Sequence, residues 1–324
     1  MWMEGSTSGV YRMWFQHMDI NRIPFYQYNT IIVGTGAAGL NAAVTLHKLG
    51  QKYIALITEG RYMGTSRNTG SDKQTYYKMT QCGSEPDSVR KMAKTLFEGG
   101  CVDGDIAMAE AAGSLRAFYH LVDIGVPFPF NKSGEYVGYK TDHDPLKRGI
   151  SAGPLTSKYM TECLERQAEE RGIPLFDGYQ AVRLLTEEKD GDKRAAGIIA
   201  LNKQKAASPD ERYAVFSAVN IIWATGGEAG MYQASVYPVS QTGGMGVLLE
   251  AGAVAKNLTE SQFGIASVKH RWNLSGTFQQ CLPRYLSAEQ DGSHEREFLN
   301  DYFDTPRQLL TAIFLKGYQW PFDP

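Results

Sequence analysis

The stretch Thr30-Ile-Ile-Val-Gly-Thr-Gly-Ala-Ala-Gly39 decides the fold of this 324-residue chain. An apolar run typical of a buried strand leads into Gly34, Gly36 and Gly39, and a helix-like run from Leu40 to Leu49 follows. The first glycine allows a tight turn, the second lets a pyrophosphate approach the backbone, and the third lets the helix lie close to the strand. Because the N–H groups and the positive dipole end of such a helix face outward, the pattern predicts a nucleotide-phosphate site.

A second apolar strand, Tyr53-Ile-Ala-Leu-Ile57, ends at Thr58-Glu59. Glu59 follows the glycines by about 20 residues, the distance at which an acidic side chain accepts hydrogen bonds from an adenosine ribose. Its carboxylate would repel a 2′-phosphate, so FAD or NAD suits the pattern better than NADP. The alternative is an ordinary strand–turn–helix with a solvated Glu59 at the strand end.

The composition is that of a globular protein, with 43% apolar residues, 21% charged residues and a formal net charge of −2. No long basic run supports nucleic-acid binding, and no apolar segment is long enough to predict a membrane span. The first residues do not read as a secretory signal. The four cysteines, Cys82, Cys101, Cys163 and Cys281, form no C-x-x-C pair. We therefore expect free thiols, no metal site and a cytoplasmic location.

Periodicity gives a coarse order of elements along the rest of the chain. Residues 61–84 read as a loop crossing the cofactor. A helical region from Pro86 to about Gly125 and a helix from about Pro154 to Arg171 follow. A strand pair is expected at Tyr179–Thr186 and Ala195–Asn202, joined by the charged turn Glu187–Lys193. A further strand at Tyr213–Phe216 leads to the apolar run Ala218–Trp223, and the last predicted helix covers Val247–Ala253.

Three glycine-rich turns stand in a fixed order: Gly34–Gly39, Ala224–Gly227 and Thr242–Gly246. The loop Thr65–Ser71 lies between the first two. This order, together with the helix end Ala251-Gly-Ala253, resembles the flavoproteins of the fumarate reductase and succinate dehydrogenase superfamily, which also includes L-aspartate oxidase. The resemblance runs from about Asn29 to Gln262.

The resemblance implies an α/β fold. The expected architecture is a Rossmann-like FAD-binding domain, with a parallel sheet, helices and a small antiparallel sheet, plus the start of a capping domain. We expect residues 1–28 to form an N-terminal arm and residues 29–264 an FAD-binding domain that lacks its C-terminal return. Residues 265–324 would then begin the capping domain.

The family pattern also implies cofactor-binding positions in this chain. One group would hold the FAD pyrophosphate: Gly34, Gly36, Ala37, Ala38 and Gly39. The adenosine would be held through its ribose by Glu59, beside Gly60, and through its adenine by the backbone of Val182. The loop against the flavin ring would comprise Ser66, Asn68, Thr69, Gly70 and Ser71. The phosphate and ribitol portion would contact Ala224, Thr225 and Gly226, with Gly243 near a further family turn.

Three departures from the family pattern bear on chemistry. Succinate dehydrogenases carry a His for covalent flavin attachment after the loop serine, where this chain has Arg67, so we expect non-covalent FAD. A family segment that ends in a substrate-binding His reads Glu260-Ser-Gln-Phe-Gly264 here, which argues against a C4-dicarboxylate substrate. In the family's Thr-Gly-Asp-Gly turn, Gly243-Gly244 occupies the region of the aspartate.

The resemblance implies hydride transfer between the flavin and a small, carboxylate-bearing substrate, with an electron-transfer partner or second subunit. Catalytic residues stay unassigned. The basic run Lys269–Arg271, the cluster His294–Glu297 and His143 read as solvated surface groups rather than as substrate contacts. Two alternatives stay open: an NAD-dependent dehydrogenase, and a non-catalytic flavin-binding subunit or truncated fragment of a larger enzyme.

Overall fold

A computed structural model describes residues 23–69, 74–100, 102–141, 144, 146–227, 237, 241, 243–256, 266–267, 272–273, 279 and 281–317. The strands are β1 (Phe25–Val33), β2 (Ile54–Thr58), β3 (Tyr76–Tyr77), β4 (Gly149–Ile150), β5 (Leu175–Asp177), β6 (Tyr179–Lys189), β7 (Asp192–Asn202), β8 (Tyr213–Trp223), β9 (Ala266–Ser267) and β10 (Trp272–Asn273). The α-helices are α1 (Ala37–Lys48), α2 (Thr65–Asn68), α3 (Val89–Glu98), α4 (Gly104–Asp123), α5 (Thr156–Glu170), α6 (Met245–Glu250) and α7 (Pro306–Gly317). Two 3₁₀ turns cover Lys203–Lys205 and Phe298–Asp301.

The main sheet has six strands in the order β5-β2-β1-β8-β7-β6. The first four run parallel, and β8, β7 and β6 are antiparallel neighbours. Strand β8 belongs to both parts, because it pairs with β1 from Val215 to Trp223 and with β7 from Tyr213 to Ser217. The predicted α/β class, with a parallel sheet and a small antiparallel sheet, is confirmed, and β8 makes the two sheets continuous.

Apolar side chains cover both faces of the parallel strands. Ile32 points toward α1, which buries Gly39, Leu40, Ala43 and Val44 at helical spacing. On the opposite face Ile31 joins a core with Ile198 of β7 and Phe216 of β8. Since burying one such side chain contributes about 1.5–3 kcal/mol, this double cover explains why an apolar run of this kind forms a central strand.

The hairpin β6–β7 differs from the sequence-based expectation. The charged stretch Glu187–Lys193 was predicted to be a turn, but the strands continue through it and only Asp190 and Gly191 turn. Both have positive φ, 56° and 84°, as a two-residue hairpin turn with right-handed strand twist requires. The charged side chains stand exposed on the strands, which explains why the composition suggested a loop.

Contacts divide the chain into two compact units, one drawn from Met1–Thr69 and Ser157–Ala255, the other from Gly70–Thr156 and Lys256–Pro324. The whole six-stranded sheet lies in the first unit. This division differs from the expected boundaries after residues 28 and 264, and β1 begins inside the expected arm. Those boundaries stay predictions.

The second unit contains its own buried core and a buried ion pair. Helices α3 and α4 pack through Met92 against Ala107. Arg148 is fully buried and donates two hydrogen bonds of 2.8 Å to Asp87. Burial alone would raise the pKa of the Asp87 carboxyl, but these bonds and backbone donors outweigh it and hold that pKa below its usual value.

Two further observations bear on the sequence-based expectations. Within the described ranges, the helices are all too short or too polar to cross a membrane. Cys82, Cys163 and Cys281 are free thiols, while Cys101 lies outside the described residues.

Candidate functional site

A cleft of about 380 Å³ opens in the first unit at the carboxyl ends of β1, β2 and β8. Because parallel strands end at the same edge, this is where open α/β sheets bind ligands. Eleven of the residues proposed from sequence line the cleft: Gly34, Gly36, Ala37, Ala38, Glu59, Gly60, Ser66, Ala224, Thr225, Gly226 and Gly243. The fold therefore brings together segments that lie far apart in the chain.

The three glycines of the first motif have different surroundings. Gly34 has φ +107°, and a Cβ there would collide with the carbonyl oxygen of Ala224. A Cβ on Gly39, which does not line the cleft, would collide with the carbonyl oxygen of Gly34. At Gly36 the nearest atom to a Cβ would be Ser66 Oγ, at 3.1 Å. The first and third glycines thus allow close backbone packing, and the second keeps the cleft side open.

The N-terminus of α1 faces the cleft without a side-chain cap of its own. Gly36 is the N-cap residue and the first turn contains no acidic side chain. The backbone N–H of Ala37 donates to Ser66 Oγ over 3.2 Å. Free N–H groups and the positive end of the helix dipole suit a pyrophosphate at this position.

Glu59 stands at the rim of the cleft and forms an ion pair that the sequence did not predict. Lys203 Nζ donates to Glu59 Oε1 over 2.8 Å. Lys203 follows β7, and its backbone N–H donates to Gly178 O over 2.8 Å, which fixes this turn beside the start of β6. No local pattern could have revealed the pair, because it joins the end of β2 to a turn that follows β7.

On the β6 side, the residues that line the cleft are Tyr179, Gln180 and Ala181. Val182, proposed as the adenine contact, lies just outside the lining set and is partly exposed. The pairing of β6 with β7 shifts register between Ala181 and Arg183, so Val182 occupies a β-bulge. A bulge leaves the backbone of its extra residue unpaired, which is the property that an adenine edge would use.

The loop segment around α2 turns only part of its side chains toward the cleft. Ser66 lines it, whereas Arg67 Nη2 donates to Glu165 Oε2 on α5 over 2.6 Å. Asn68 and Thr69 donate to backbone carbonyls within the turn itself. The proposed positions Gly70 and Ser71 lie outside the described residues, as do Glu260–Gly264, Lys269–Arg271 and His143.

Polar atoms at the exit of β8 are buried without a hydrogen-bond partner among the described residues. They are Trp223 Nε1 and Thr225 Oγ1, and Thr65 Oγ1 across the cleft is in the same state. A Cβ on Gly244 would fall 2.7 Å from the indole nitrogen and 2.6 Å from the hydroxyl. Each unsatisfied group costs about 1–3 kcal/mol, so the cleft holds donors suited to a polar ligand. Sequence reasoning missed Trp223 and Gly244.

The remaining charge cluster lies in the second unit on exposed surface. Arg284 pairs with Glu297, and Arg296 pairs with Asp301. His294 is exposed, and its Nδ1 lies within hydrogen-bonding distance of the neighbouring Ser293 Oγ, at 3.1 Å. This agrees with the interpretation of His294–Glu297 as a solvated surface cluster.

A mixed sheet whose parallel strands end at a glycine-rich helix N-terminus defines a dinucleotide-binding class of protein. The sequence profile of the FAD binding domain matches residues 29–283, and the chain belongs to this family. The predicted resemblance and the predicted FAD cofactor are confirmed.

Curated relatives include two L-aspartate oxidases. That of Agrobacterium fabrum is 28% identical over 242 residues, covering 72% of this chain and 42% of its own length. That of Pseudomonas aeruginosa is 29% identical over 262 residues, with coverages of 76% and 46%. The chain therefore spans less than half the length of these relatives.

Solved structures show the same fold. Escherichia coli quinol fumarate reductase FrdA superposes with a TM-score of 0.69 at 20% identity, covering 90% of this chain and 50% of that one. The open conformation of a flavocytochrome c3 fumarate reductase gives a TM-score of 0.66 at 17% identity, with coverages of 89% and 51%.

Proposed function

We propose that this chain is an FAD-dependent oxidoreductase, or the FAD-binding portion of one, that transfers a hydride between non-covalent flavin and a small carboxylate-bearing substrate. The observation that carries the proposal is the cleft where a helix N-terminus with no side-chain cap of its own meets buried polar atoms that have no partner among the described residues. FAD supplies the redox chemistry when bound, and the chain's residues supply its binding, orientation and electrostatic environment.

The chain offers a distinct group for each part of the cofactor. At the N-terminus of α1, which favours anions, the backbone N–H of Ala38 would donate to the pyrophosphate. The Ala37 N–H donates to Ser66 Oγ and would hold that hydroxyl beside the phosphate groups. The Glu59 carboxylate would accept hydrogen bonds from the adenosine ribose. The bulged backbone at Val182 would hydrogen-bond to the adenine, which would then extend past Ala181, the last residue of β6 that lines the cleft.

The exit of β8 would hold the middle of the cofactor. The turn formed by Ala224, Thr225 and Gly226 borders the cleft together with the α1 N-terminus. The two turns are in close contact, because a Cβ on Gly34 would collide with the carbonyl oxygen of Ala224. The Thr225 hydroxyl would satisfy its hydrogen-bonding need on a phosphate or ribitol oxygen. Gly243 lines the same side of the cleft.

The environment of Arg67 supports non-covalent binding. Its guanidinium pairs with Glu165 on α5, and Arg67 does not line the cleft. Among the described lining residues there is no His or Cys that could attach a flavin through its side chain. The attachment position of the covalent relatives is thus occupied by a residue directed away from the cleft.

The substrate class rests on the relatives. Because relatives are named L-aspartate oxidase and a solved structure of the same fold is a fumarate reductase, L-aspartate and fumarate are the first substrates to test. Both are C4-dicarboxylates, so turnover of either would contradict the expectation drawn from Gly264 that the substrate belongs to another class. We further propose that an electron-transfer partner or second subunit works with the chain, and that it acts in the cytoplasm.

The test begins with FAD binding to the purified full chain. We expect flavin absorbance that acid precipitation releases, and a rise in melting temperature with FAD that NAD does not produce. Flavin that stays with the acid-precipitated protein would contradict non-covalent attachment. A colourless protein that gains no colour with FAD would contradict the site itself.

Turnover is measured separately, with L-aspartate and a dye acceptor, and with fumarate and a reduced artificial donor. Turnover by the isolated chain supports the enzymatic proposal. FAD binding without turnover, also in the presence of a candidate partner, favours the non-catalytic flavin-binding subunit.

A further inference from the structure

We propose that Glu165, which lies on α5 outside the cleft, is a positioning residue for FAD. Its carboxylate fixes both ends of the segment Arg61–Arg67, whose inner residues line the cofactor cleft. The inference rests on the proposed FAD site and adds a residue that no motif of the sequence indicates.

The carboxylate of Glu165 is shared by the two arginines that bracket the segment. Arg61 Nε donates to Glu165 Oε1 and Arg67 Nη2 donates to Glu165 Oε2, each over 2.6 Å. The Glu165 side chain is 9% exposed and that of Arg67 is 11% exposed. Each oxygen therefore holds a different end of the segment in a largely dry environment, where charge-assisted hydrogen bonds are strong.

Additional contacts close this cluster around Tyr62. The guanidinium groups of Arg61 and Arg67 lie 5.3 and 5.4 Å from the centre of the Tyr62 ring. Arg61 also pairs with Glu169, and its hydrogen bond to Glu165 raises the pKa of the guanidinium above its ordinary value. The Arg61 guanidinium therefore keeps its positive charge within this cluster.

The segment held from outside forms part of the cleft wall inside. Four consecutive residues between the arginines line the cleft: Met63, Gly64, Thr65 and Ser66. Ser66 Oγ accepts the hydrogen bond from the Ala37 N–H, at the position proposed for the pyrophosphate. A shift of this segment would move Ser66 relative to the helix N-terminus, so Glu165 acts on the cofactor through Arg67.

Arg67 depends on Glu165 more than on any other described group. Its Nε is buried without a hydrogen-bond partner among the described residues, and its second carboxylate neighbour, Glu162, lies 3.7 Å from Nη1 with a 44% exposed side chain. Removing Glu165 leaves this largely buried cation with the longer, exposed contact to Glu162 in place of its close partner, which is destabilising locally. Removing Glu162 breaks only an exposed, screened contact. Glu162 is therefore the matched control on the same helix.

The experiment compares Glu165→Gln with Glu162→Gln in the full chain. FAD affinity is measured by fluorescence titration of apo-protein, and amide hydrogen exchange is followed by segment. For Glu165→Gln we expect the FAD Kd to rise at least 10-fold, with faster exchange in residues 61–69 and unchanged exchange in β1 and β2. For Glu162→Gln we expect a change below 2-fold.

A double variant, Glu165→Leu with Arg67→Leu, separates positioning from stability. An apolar pair of similar volume restores stability after loss of a buried ion pair. We expect the melting temperature to recover while the FAD Kd stays raised, because the outer anchor of the segment is still missing.

The outcomes are distinct. Wild-type protein that binds no FAD overturns the proposed function. If Glu165→Gln binds FAD with the same Kd as the wild-type protein, the positioning role is overturned. In Glu165→Gln, exchange that accelerates equally in β1, β2 and residues 61–69 would show that Glu165 contributes to general stability, which also overturns the positioning role. An FAD Kd of the double variant that recovers together with its melting temperature would overturn the positioning role in the same way.

Discussion

The exits of β1 and β8 border the same cleft but are closed by different means. At the β1 exit, Gly34 and Gly39 pack backbone against backbone with no room for a side chain. At the β8 exit, Trp223 and Thr225 bury polar atoms that have no partner among the described residues. The contacts of Gly34 and Gly39 are complete in the protein alone, whereas the β8 exit has hydrogen-bonding capacity for a ligand. We propose that these two glycines serve the fold, while the polar atoms at the β8 exit serve the cofactor together with the N-terminus of α1.

The largest effect that tests this comparison is expected at the β1 exit. Gly34→Ala forces a positive φ and a collision with the Ala224 carbonyl, so we expect the unfolding free energy of apo-protein to fall by about 3 kcal/mol or more. Gly39→Ala should behave alike. Urea denaturation monitored by circular dichroism measures the change.

Gly50→Ala is the control for backbone strain at the β1 exit. Gly50 has φ +97°, and no atom of the described residues lies within 4 Å of an added Cβ, so we expect a loss of only about 1–2 kcal/mol. Equal losses for Gly34→Ala and Gly50→Ala would show that the collision with β8 has no energetic weight.

The next effect separates fold from ligand within the first motif. Gly36→Ala places a methyl group 3.1 Å from Ser66 Oγ in an ordinary backbone conformation, so apo stability should change by less than about 1 kcal/mol. We expect the FAD Kd to rise about 10-fold, equivalent to about 1.4 kcal/mol. Gly246→Ala, with open space around its Cβ, is the control and should leave the Kd unchanged. An unchanged Kd for Gly36→Ala would place the pyrophosphate elsewhere.

A smaller effect of opposite sign is expected at the β8 exit. Thr225→Val removes a buried hydroxyl without a partner, so apo-protein should gain about 1 kcal/mol while FAD binding weakens. Thr35→Val removes a hydroxyl that is hydrogen-bonded to Thr58 Oγ1 over 3.0 Å, and should lose about 1 kcal/mol. Chemical denaturation measures the unfolding free energy of both apo-variants. A loss of stability in Thr225→Val as well as in Thr35→Val would contradict the contrast between the exits.

The smallest effect is expected at the rim. Lys203→Met removes the partner of Glu59, and we expect the FAD Kd to rise about 2- to 3-fold, because exposed ion pairs contribute less than about 1 kcal/mol. Lys205→Met is the matched control, since Lys205 forms a similar exposed pair of 2.9 Å with Glu211. Equal FAD titration curves for the two variants would show that the ion pair of Lys203 with Glu59 does not contribute to FAD binding.

Local patterns predicted the part of the fold that is local. The run from Thr30 to Glu59 encodes its own strand, turn, helix and strand, because burial and periodicity are written in neighbouring residues. The hairpin turn at Asp190-Gly191 was also encoded, since Asp-Gly between strands is a turn signal, but the surrounding charges obscured it. Val182 lies in a bulge just outside the lining of the cleft, and a bulge cannot be read from sequence alone; its adenine contact stays a prediction.

The rest of the candidate site depends on contacts between distant segments. Lys203 meets Glu59 because the end of β7 lies near the end of β2, and Glu165 meets Arg67 because α5 lies beside α2. The indole nitrogen of Trp223 lies so close to Gly244 that a Cβ on the glycine would collide with it. Such groups have no spacing rule, so only the folded chain reveals them.

The pairing of β8 with β1 has a consequence for how the protein forms during synthesis. Phe25 pairs with Val215, so the central strand cannot complete its ladder until nearly the whole sheet-forming sequence has left the ribosome. Chains dominated by such remote contacts fold slowly, and the uncovered edge of β1 exposes apolar surface meanwhile. We therefore expect the nascent chain to need protection by chaperones, and the cofactor to join only after β8 has docked.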